Sequence, residues 1–275
     1  MYVLPNARAW AKVGDEVAVI DSTNRELQRR LRAGPLPEGY GLRADFQTAG
    51  RGRLDRDWEG APAANLYVSY ALAGAGFTPE RLFAASQLAA LAVCDAVEAV
   101  APRVDCAVKW PNDIYVADRK LAGILIESTL VGGRVGYLVV GVGANVNQRD
   151  LPARFRATSL AAETDLEYAP AALARAVATA LQREVGALRA AHAAGDTHTL
   201  HQRYHERLRG LGALARYELT GTSGARPDND APRDIVATLR GVVPDGRARL
   251  ETPAGEERLY DMDAVRFRGF VERVA

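Results

Sequence analysis

The sequence predicts an α+β fold: a mixed, largely antiparallel sheet with flanking helices over residues 1–210, then a small β-barrel over 211–275. Three observations predict it. Four β-favouring runs follow one another closely at 107–110, 113–116, 121–127 and 135–142, joined by turns such as Asp118-Arg119 and Gly132-Gly133 that suit antiparallel neighbours. Two long apolar or alanine-rich stretches, 78–100 and 170–194, have the length and composition of helices. After Gly210 the character changes to short alternating segments at 214–219, 235–239, 247–251 and 257–260, separated by glycine, proline and aspartate.

The elements follow in order. An apolar run at 17–20 ends at Asp21-Ser22-Thr23-Asn24, where Thr23 with Glu26 matches a helix capping box. The helix it opens ends near Gly34, and Pro35 and Pro37 stop it. A strand at 41–47 leads into a glycine-arginine loop, and 65–70 resumes as a strand. Thr78-Pro79-Glu80 reads as a cap, a first-turn proline and an acid, a strong helix start. The four strands come next, then the helix at 170–194 and a more charged one at 197–209. The polar, proline-containing segment 221–233 reads as a long loop within the barrel, and no internal repeat is found.

Composition narrows the partners. A formal net charge of +1 over 275 residues gives no broad field for nucleic acid or anionic membrane, so positive potential must be local. Two cysteines, Cys94 and Cys106, lie in apolar contexts without metal-ligand spacing, as in a reduced cytoplasmic protein with two buried thiols. The sequence shows no signal peptide, and no apolar stretch is expected to reach the roughly 20 residues a membrane helix needs.

The chemistry concentrates in two segments. In Gln47-Thr48-Ala49-Gly50-Arg51-Gly52-Arg53, glycines let backbone amides approach an anion. Arg51, Arg53 and Arg56 add forked donors for phosphate or carboxylate, and Trp58 offers a flat face for a purine or an acyl chain. The same residues suit a solvated surface loop. Neither a P-loop nor a full dinucleotide fingerprint is present, since Asp55 stands where a third glycine would fall. The second segment is Lys109-Trp110-Pro111-Asn112-Asp113, followed by Lys120 in Lys120-Leu121-Ala122-Gly123-Ile124-Leu125. A lysine entering a dry site neutralises a carboxylate and a phosphate that must react, although a lysine flanking a strand is also ordinary. Asn112 and Asp113 suit a ribose, a magnesium ion held through water, or a plain turn. Gly141-Val142-Gly143-Ala144-Asn145 ends a strand and leaves room for a ligand or a turn. His198, His201 and His205 read as a solvated helix face rather than a zinc site.

In this order and spacing, with Asp21-Ser22-Thr23-Asn24, these motifs resemble biotin–protein ligase over residues 15–275, nearly the whole chain. The resemblance implies a class II synthetase-like catalytic domain with an SH3-like C-terminal barrel. It also implies a reaction in which biotin and MgATP give biotinyl-5′-AMP, which then acylates a lysine of a biotin carboxyl carrier protein. By position, Ser22, Thr23 and Gln47 contact the polar head of biotin, with Asn24 beside them. Gly50, Arg51, Gly52 and Arg53 form the loop over the adenylate. Lys120 meets the biotin carboxyl and the α-phosphate, and Gly123 gives backbone room; Lys120 and Arg53 are the catalytic pair. Trp58, Asn65 and Asn145 match the adenine end. Arg51, Arg53, Arg56, Lys109 and Asn112 match the rest of the ATP site, with Asp113 near Mg2+ through water, and Arg268 reaches the nucleotide from the small barrel. The first two dozen residues leave no room for the winged helix-turn-helix of some members, so a ligase-only form without repressor activity or DNA binding is expected. A homodimer through an exposed edge of the central sheet is compatible with the pattern. The family usually has glycine where Asp55 stands, which puts the closed geometry of the loop in question. Lipoate–protein ligase on a similar fold, and a non-catalytic sensor of biotin or its adenylate, are the alternatives.

Overall fold

A computed structural model describes residues 13–196, 198–220 and 234–271. The chain begins with β1 (Val13–Ile20), α1 (Thr23–Ala33), β2 (Gly41–Gln47) and β3 (Leu66–Ala73). It continues through α2 (Phe83–Val100) and the strands β4 (Ala107–Lys109), β5 (Asp113–Val116), β6 (Arg119–Val131) and β7 (Arg134–Ala144). Then come α3 (Leu160–Thr164), α4 (Pro170–Ala193) and α5 (Thr199–Glu206). The last five strands are β8 (Leu214–Leu219), β9 (Asp234–Val242), β10 (Ala248–Glu251), β11 (Glu257–Tyr260) and β12 (Val265–Phe270).

Seven strands form one sheet in the order β1-β2-β3-β7-β6-β5-β4. Only β1 and β2 run parallel; every other neighbouring pair is antiparallel. The expected mixed, largely antiparallel sheet is therefore present. Alternation along β7 sorts its two faces. Leu138, Val140, Val142 and Ala144 join the core that also holds α2 and α4. Val139 faces the other way, into a smaller cluster with Leu27 and Leu31 of α1. On that second face α1 covers only one end of the sheet. Beyond its N-terminus the facing positions are Gly141 and Gly143 of β7 and Gly123 of β6, so no side chain fills the space and a cavity results.

Four expectations change. The cap of α1 is Ser22, whose side chain accepts from Arg25 N; Thr23 is the first helical residue and its hydroxyl turns to Gln47 instead. Thr78 makes no side-chain cap bond to the helix: Pro79–Arg81 is a single 3₁₀ turn before α2. The helix expected over 197–209 is the shorter α5, because Arg207 O and Arg209 N bond to Val108 and draw the chain alongside β4. The fourth concerns membrane length. Pro79–Val100 is apolar and long enough by length and composition to span a bilayer, against the expectation that no stretch is. Its apolarity has a local cause, since α2 is packed against the sheet, α4 and α5, and most of it is buried.

The histidines also depart from a solvated face. His205 Nε2 accepts from Val242 N (2.9 Å), His201 Nδ1 lies 2.8 Å from Gln87 Nε2, and the two rings meet edge to face at 4.2 Å. They join α5 to α2 and β9. Cys94 and Cys106 are free thiols and both buried, as expected.

The C-terminal strands form an antiparallel sheet ordered β11-β10-β9-β8-β12. Among the described residues β11 and β12 are its edges and do not pair, so the sheet is open. The loop expected at 221–233 lies outside the described residues. Trp110 Nε1 donates to Gly246 O (2.9 Å), one bond that fixes the smaller sheet against the larger.

Candidate active site

The cavity, of about 1150 Å³, runs from the N-terminus of α1 to the edge of the C-terminal sheet. Its floor is made by cross-strand neighbours: Gly123 faces Gly143, and Gly141 lies between Leu125 and Ser69. Glycine is required here. A Cβ on Gly141 would fall 2.2 Å from Asn24 Oδ1, and one on Gly143 would fall 2.5 Å from the Trp58 ring. A Cβ on Gly123 would lie 2.9 Å from Trp58 and 3.2 Å from Lys120 Nζ.

At the α1 end the walls are uncharged donors and acceptors. Gln47 Oε1 accepts from Thr23 N (2.8 Å) and Thr23 Oγ1 (3.1 Å), which leaves its NH2 group for a ligand. Ser69 Oγ lies 2.7 Å from Thr23 Oγ1 and donates to Asn24 Oδ1 (2.6 Å). Asn24 Nδ2 donates to Glu127 Oε2 (2.7 Å).

At the other end the walls are cationic. The glycine-arginine loop is a hydrogen-bonded tongue: Trp58 N donates to Gly50 O (3.0 Å), Gly52 N to Arg56 O (2.6 Å), and Arg51 bridges Asp57. Leu54 at its tip has a φ of 55°, a left-handed conformation uncommon for a non-glycine residue. Each main cation is held by a carboxylate: Arg51 by Glu127 (3.2 Å), Arg53 by Asp263 (2.5 Å) and Lys120 by Asp113 (2.6 Å). The Asp55 side chain lies outside the described residues. Lys120 Nζ also sits over the Trp58 ring at 5.3 Å. Lys109 lies between the rings of Tyr115 and Phe267, and burial lowers its pKa against the raising pull of Asp113. Burial, helped by Asp113, pushes the Tyr115 hydroxyl up to about 12.

Two buried donors in this cavity, Arg51 Nε and Trp58 Nε1, have no partner among the described residues. Buried polar groups are almost always paired, so orphaned donors lining a cavity indicate ligand acceptors.

Most of the residues singled out in the sequence meet here. Ser22, Thr23, Asn24, Gln47, Arg51, Gly52, Arg53, Arg56, Trp58, Lys109, Asn112, Asp113, Lys120, Gly123 and Asn145 all line the cavity. Three do not. Gly50 lies beneath the tongue, where a Cβ would meet Trp58 O at 2.7 Å. Asn65 is buried and pins the chain after β7, accepting from Val146 N (3.0 Å) and donating to Gln148 (2.7 Å). Arg268 stands at a bulge and does not line the cavity; Arg266, two residues earlier, does, and both arginines reach Glu218. The sequence reading missed Arg266, Ser69 and Glu127. Alternation carried a signal for two of them: Ser69 faces Gly141, and Glu127 follows Gly123 and Leu125 on one face of β6.

Comparison with known proteins places this geometry. Residues 16–145 match the model of the biotin/lipoate A/B protein ligase family. The biotin--[acetyl-CoA-carboxylase] ligase of Mycobacterium tuberculosis is 32% identical over 244 residues, covering 88% of this chain and 84% of that protein. The bifunctional ligase/repressor BirA of Salmonella typhimurium is 41% identical over 133 residues. The matches to this and other bifunctional relatives span only 40 to 44% of those proteins' length. Among solved structures, the biotin protein ligase from Aquifex aeolicus in complex with biotin and ATP superposes with a TM-score of 0.68 at 27% identity, covering 93% of this chain and 98% of that one.

Proposed function

The chain belongs to the biotin/lipoate A/B protein ligase family, and on that premise we propose that it activates biotin with ATP and transfers the biotinyl group to a lysine of a biotin carboxyl carrier protein. The observation that carries this reading is the two-ended cavity: a neutral polar wall at one end, clustered cations at the other, and a glycine floor between them. A ureido head suits the first, where Gln47 presents an NH2 donor, and a carboxylate beside a phosphate suits the second.

In the first step the biotin carboxylate attacks the α-phosphorus of ATP; a carboxyl–phosphorus bond forms and the bond to the β-phosphate oxygen breaks, releasing pyrophosphate. Two anions approach each other, so the barrier is electrostatic. Lys120 and Arg53 supply positive charge where negative charge gathers, and one such donor is typically worth about 3–4 kcal/mol. Their carboxylate partners hold them in place until substrate anions replace those partners. In the second step the carrier lysine, as free amine, attacks the acyl carbon, and AMP leaves. The tongue with Arg51, Arg53 and Trp58 covers the adenylate and keeps water from it.

When bound with ATP, Mg2+ would neutralise charge on the triphosphate. The donors fit such an ion: Asp113 would offer a carboxylate, and Asn112, whose Nδ2 donates to Ile124 O (2.7 Å), would offer a side-chain oxygen that has no partner among the described residues. Lys109, Arg56 and Arg266 line the nucleotide side, with Asn145 near the adenine. We assign 211–275 to a module forming the wall on that side and curling toward a small barrel; bulges at Arg249/Leu250 and Phe267/Gly269 bend its strands in the manner closure needs. The edge of β1, unpaired among the described residues and with Val19 exposed, is where a second copy would pair, and a reducing cytoplasm suits the two free thiols.

The test is incubation with ATP, a carrier domain and either biotin or lipoate, read by mass spectrometry of the carrier. Biotinylation is expected. Modification by lipoate alone, or tight biotin binding with no ATP consumed, would overturn the reading.

A further inference from the structure

Glu127 stands on β6 two residues beyond Leu125, on the cavity face, and the activation chemistry above does not use it. Its two oxygens have different partners. Oε2 accepts from Asn24 Nδ2 at 2.7 Å and Oε1 holds Arg51 at 3.2 Å. The carboxylate thereby joins Asn24 of α1 to Arg51 of the tongue, two residues that are distant in sequence from each other and from Glu127.

Each side of this joint is determined. Asn24 is buried, and with Nδ2 committed to Glu127 and Leu125 O (3.3 Å), its Oδ1 must face Ser69 Oγ (2.6 Å). Ser69 in turn lies 2.7 Å from Thr23 Oγ1, which donates to Gln47. The orientation of the Asn24 amide, and through it of the Ser69 hydroxyl, therefore starts from an acceptor that cannot donate, the Glu127 carboxylate. On the other side, Arg51 is half-buried, its Nε has no partner among the described residues, and its terminal nitrogen meets Glu127. The guanidinium is thus aimed into the cavity by one ion pair.

We propose that Glu127 is a positioning residue that couples the wall receiving the polar head of the substrate to the tongue covering the acyl-nucleotide, by holding Asn24 and Arg51 on one carboxylate. The proposal rests on the ligase reading. The tongue closes on the side where the head is seated because the same group orients both. Glu127→Gln keeps the size of the side chain but removes the charge, and its amide NH2 repels Arg51 or turns on Asn24.

The experiment forms labelled biotinyl-adenylate on the full chain from biotin and ATP, removes free ligand, and follows its release without carrier. Glu127→Gln is expected to release it about five- to tenfold faster, the scale of one partly buried charge-assisted contact. The decisive arm is the background. In Arg51→Gln chains, adding Glu127→Gln is expected to change release less than about twofold, since the partner is already gone. A role in folding alone would act equally in both backgrounds. Should Glu127→Gln fail to fold, Arg51→Lys against Arg51→Gln replaces it: lysine, able to reach the same carboxylate, is expected to slow release relative to glutamine. Release by Glu127→Gln at the parent rate, equal effects in both backgrounds, or no difference between lysine and glutamine at position 51 overturns the proposal. A parent chain that forms no adenylate overturns instead the ligase reading.

Discussion

Gly141→Ala puts the geometry of the cavity wall under direct strain. The new Cβ would lie 2.2 Å from Asn24 Oδ1, 2.9 Å from its Cγ and 3.1 Å from its Nδ2. The Asn24 amide must turn away, and it is held by Ser69 (2.6 Å), Glu127 (2.7 Å) and Leu125 O (3.3 Å). A bond to a charged group is worth about 1.5–3 kcal/mol and a neutral one about 0.5–1.5. Partial relaxation leaves a loss of about 2–4 kcal/mol, a fall in melting temperature of about 4–12 °C for a protein of this size. Because Asn24, Ser69 and Thr23 move together, biotin affinity is expected to fall at least about tenfold. Gly34→Ala is the control: no atom lies within 4 Å of its Cβ position and its φ of 176° is ordinary extended backbone. Scanning calorimetry and biotin titration read both variants. Gly141→Ala that melts and binds like the parent would refute the argument that this glycine exists to seat Asn24.

Lys120→Ala is expected to slow adenylate formation by about 10²–10³ while the fold is retained, measured by pyrophosphate release; comparable turnover contradicts the role given to that lysine. Arg53→Ala removes the cation by which the tongue would hold the adenylate phosphate once Asp263 is displaced, so adenylate should escape and label lysines without carrier; leakage equal to the parent's means the tongue is not the cover. The histidines give a pH dependence. Burial lowers both His201 and His205 from 6.5. Above that value folded and unfolded chains are both neutral there. Below it the unfolded chain takes up protons first, so this contribution to stability falls from pH 6.5 down to the folded values. The melting temperature should drop between about pH 7 and pH 5.5, and His205→Gln should flatten that drop; the same slope in the variant assigns the effect to other groups.

Much of the fold was legible because closely spaced apolar runs joined by short turns leave few other arrangements for β4 to β7, and because α4 is apolar on one side and starts at a proline. What escaped was set by contacts distant in sequence. Thr23 matches a cap by spacing, yet Gln47, which bonds both its backbone N and its hydroxyl, leaves Ser22 to cap the helix. The histidines look exposed on a charged helix until β9 delivers the Val242 amide to His205. The site was readable where chemistry and spacing coincide, as at Lys120 and Arg53. It was unreadable where an ordinary strand residue becomes special through its neighbours. Glu127 gains its place from α1 and from the tongue, neither of which adjoins it in the chain. Arg266 and Arg268 would share one face of a regular strand, and the bulge at Phe267/Gly269 breaks that register, leaving Arg266 at the cavity.

The central claim is that cations now neutralised by Asp113 and Asp263 are transferred to substrate anions as the acyl-phosphate bond forms. Mixing the purified chain with biotin and ATP, without carrier, and identifying the bound species by mass spectrometry tests it most directly. Biotinyl-5′-AMP at about one per chain on the parent, and none on Lys120→Ala, is the predicted result. Biotin and ATP recovered unjoined from the parent, or adenylate formed equally by both chains, contradicts it.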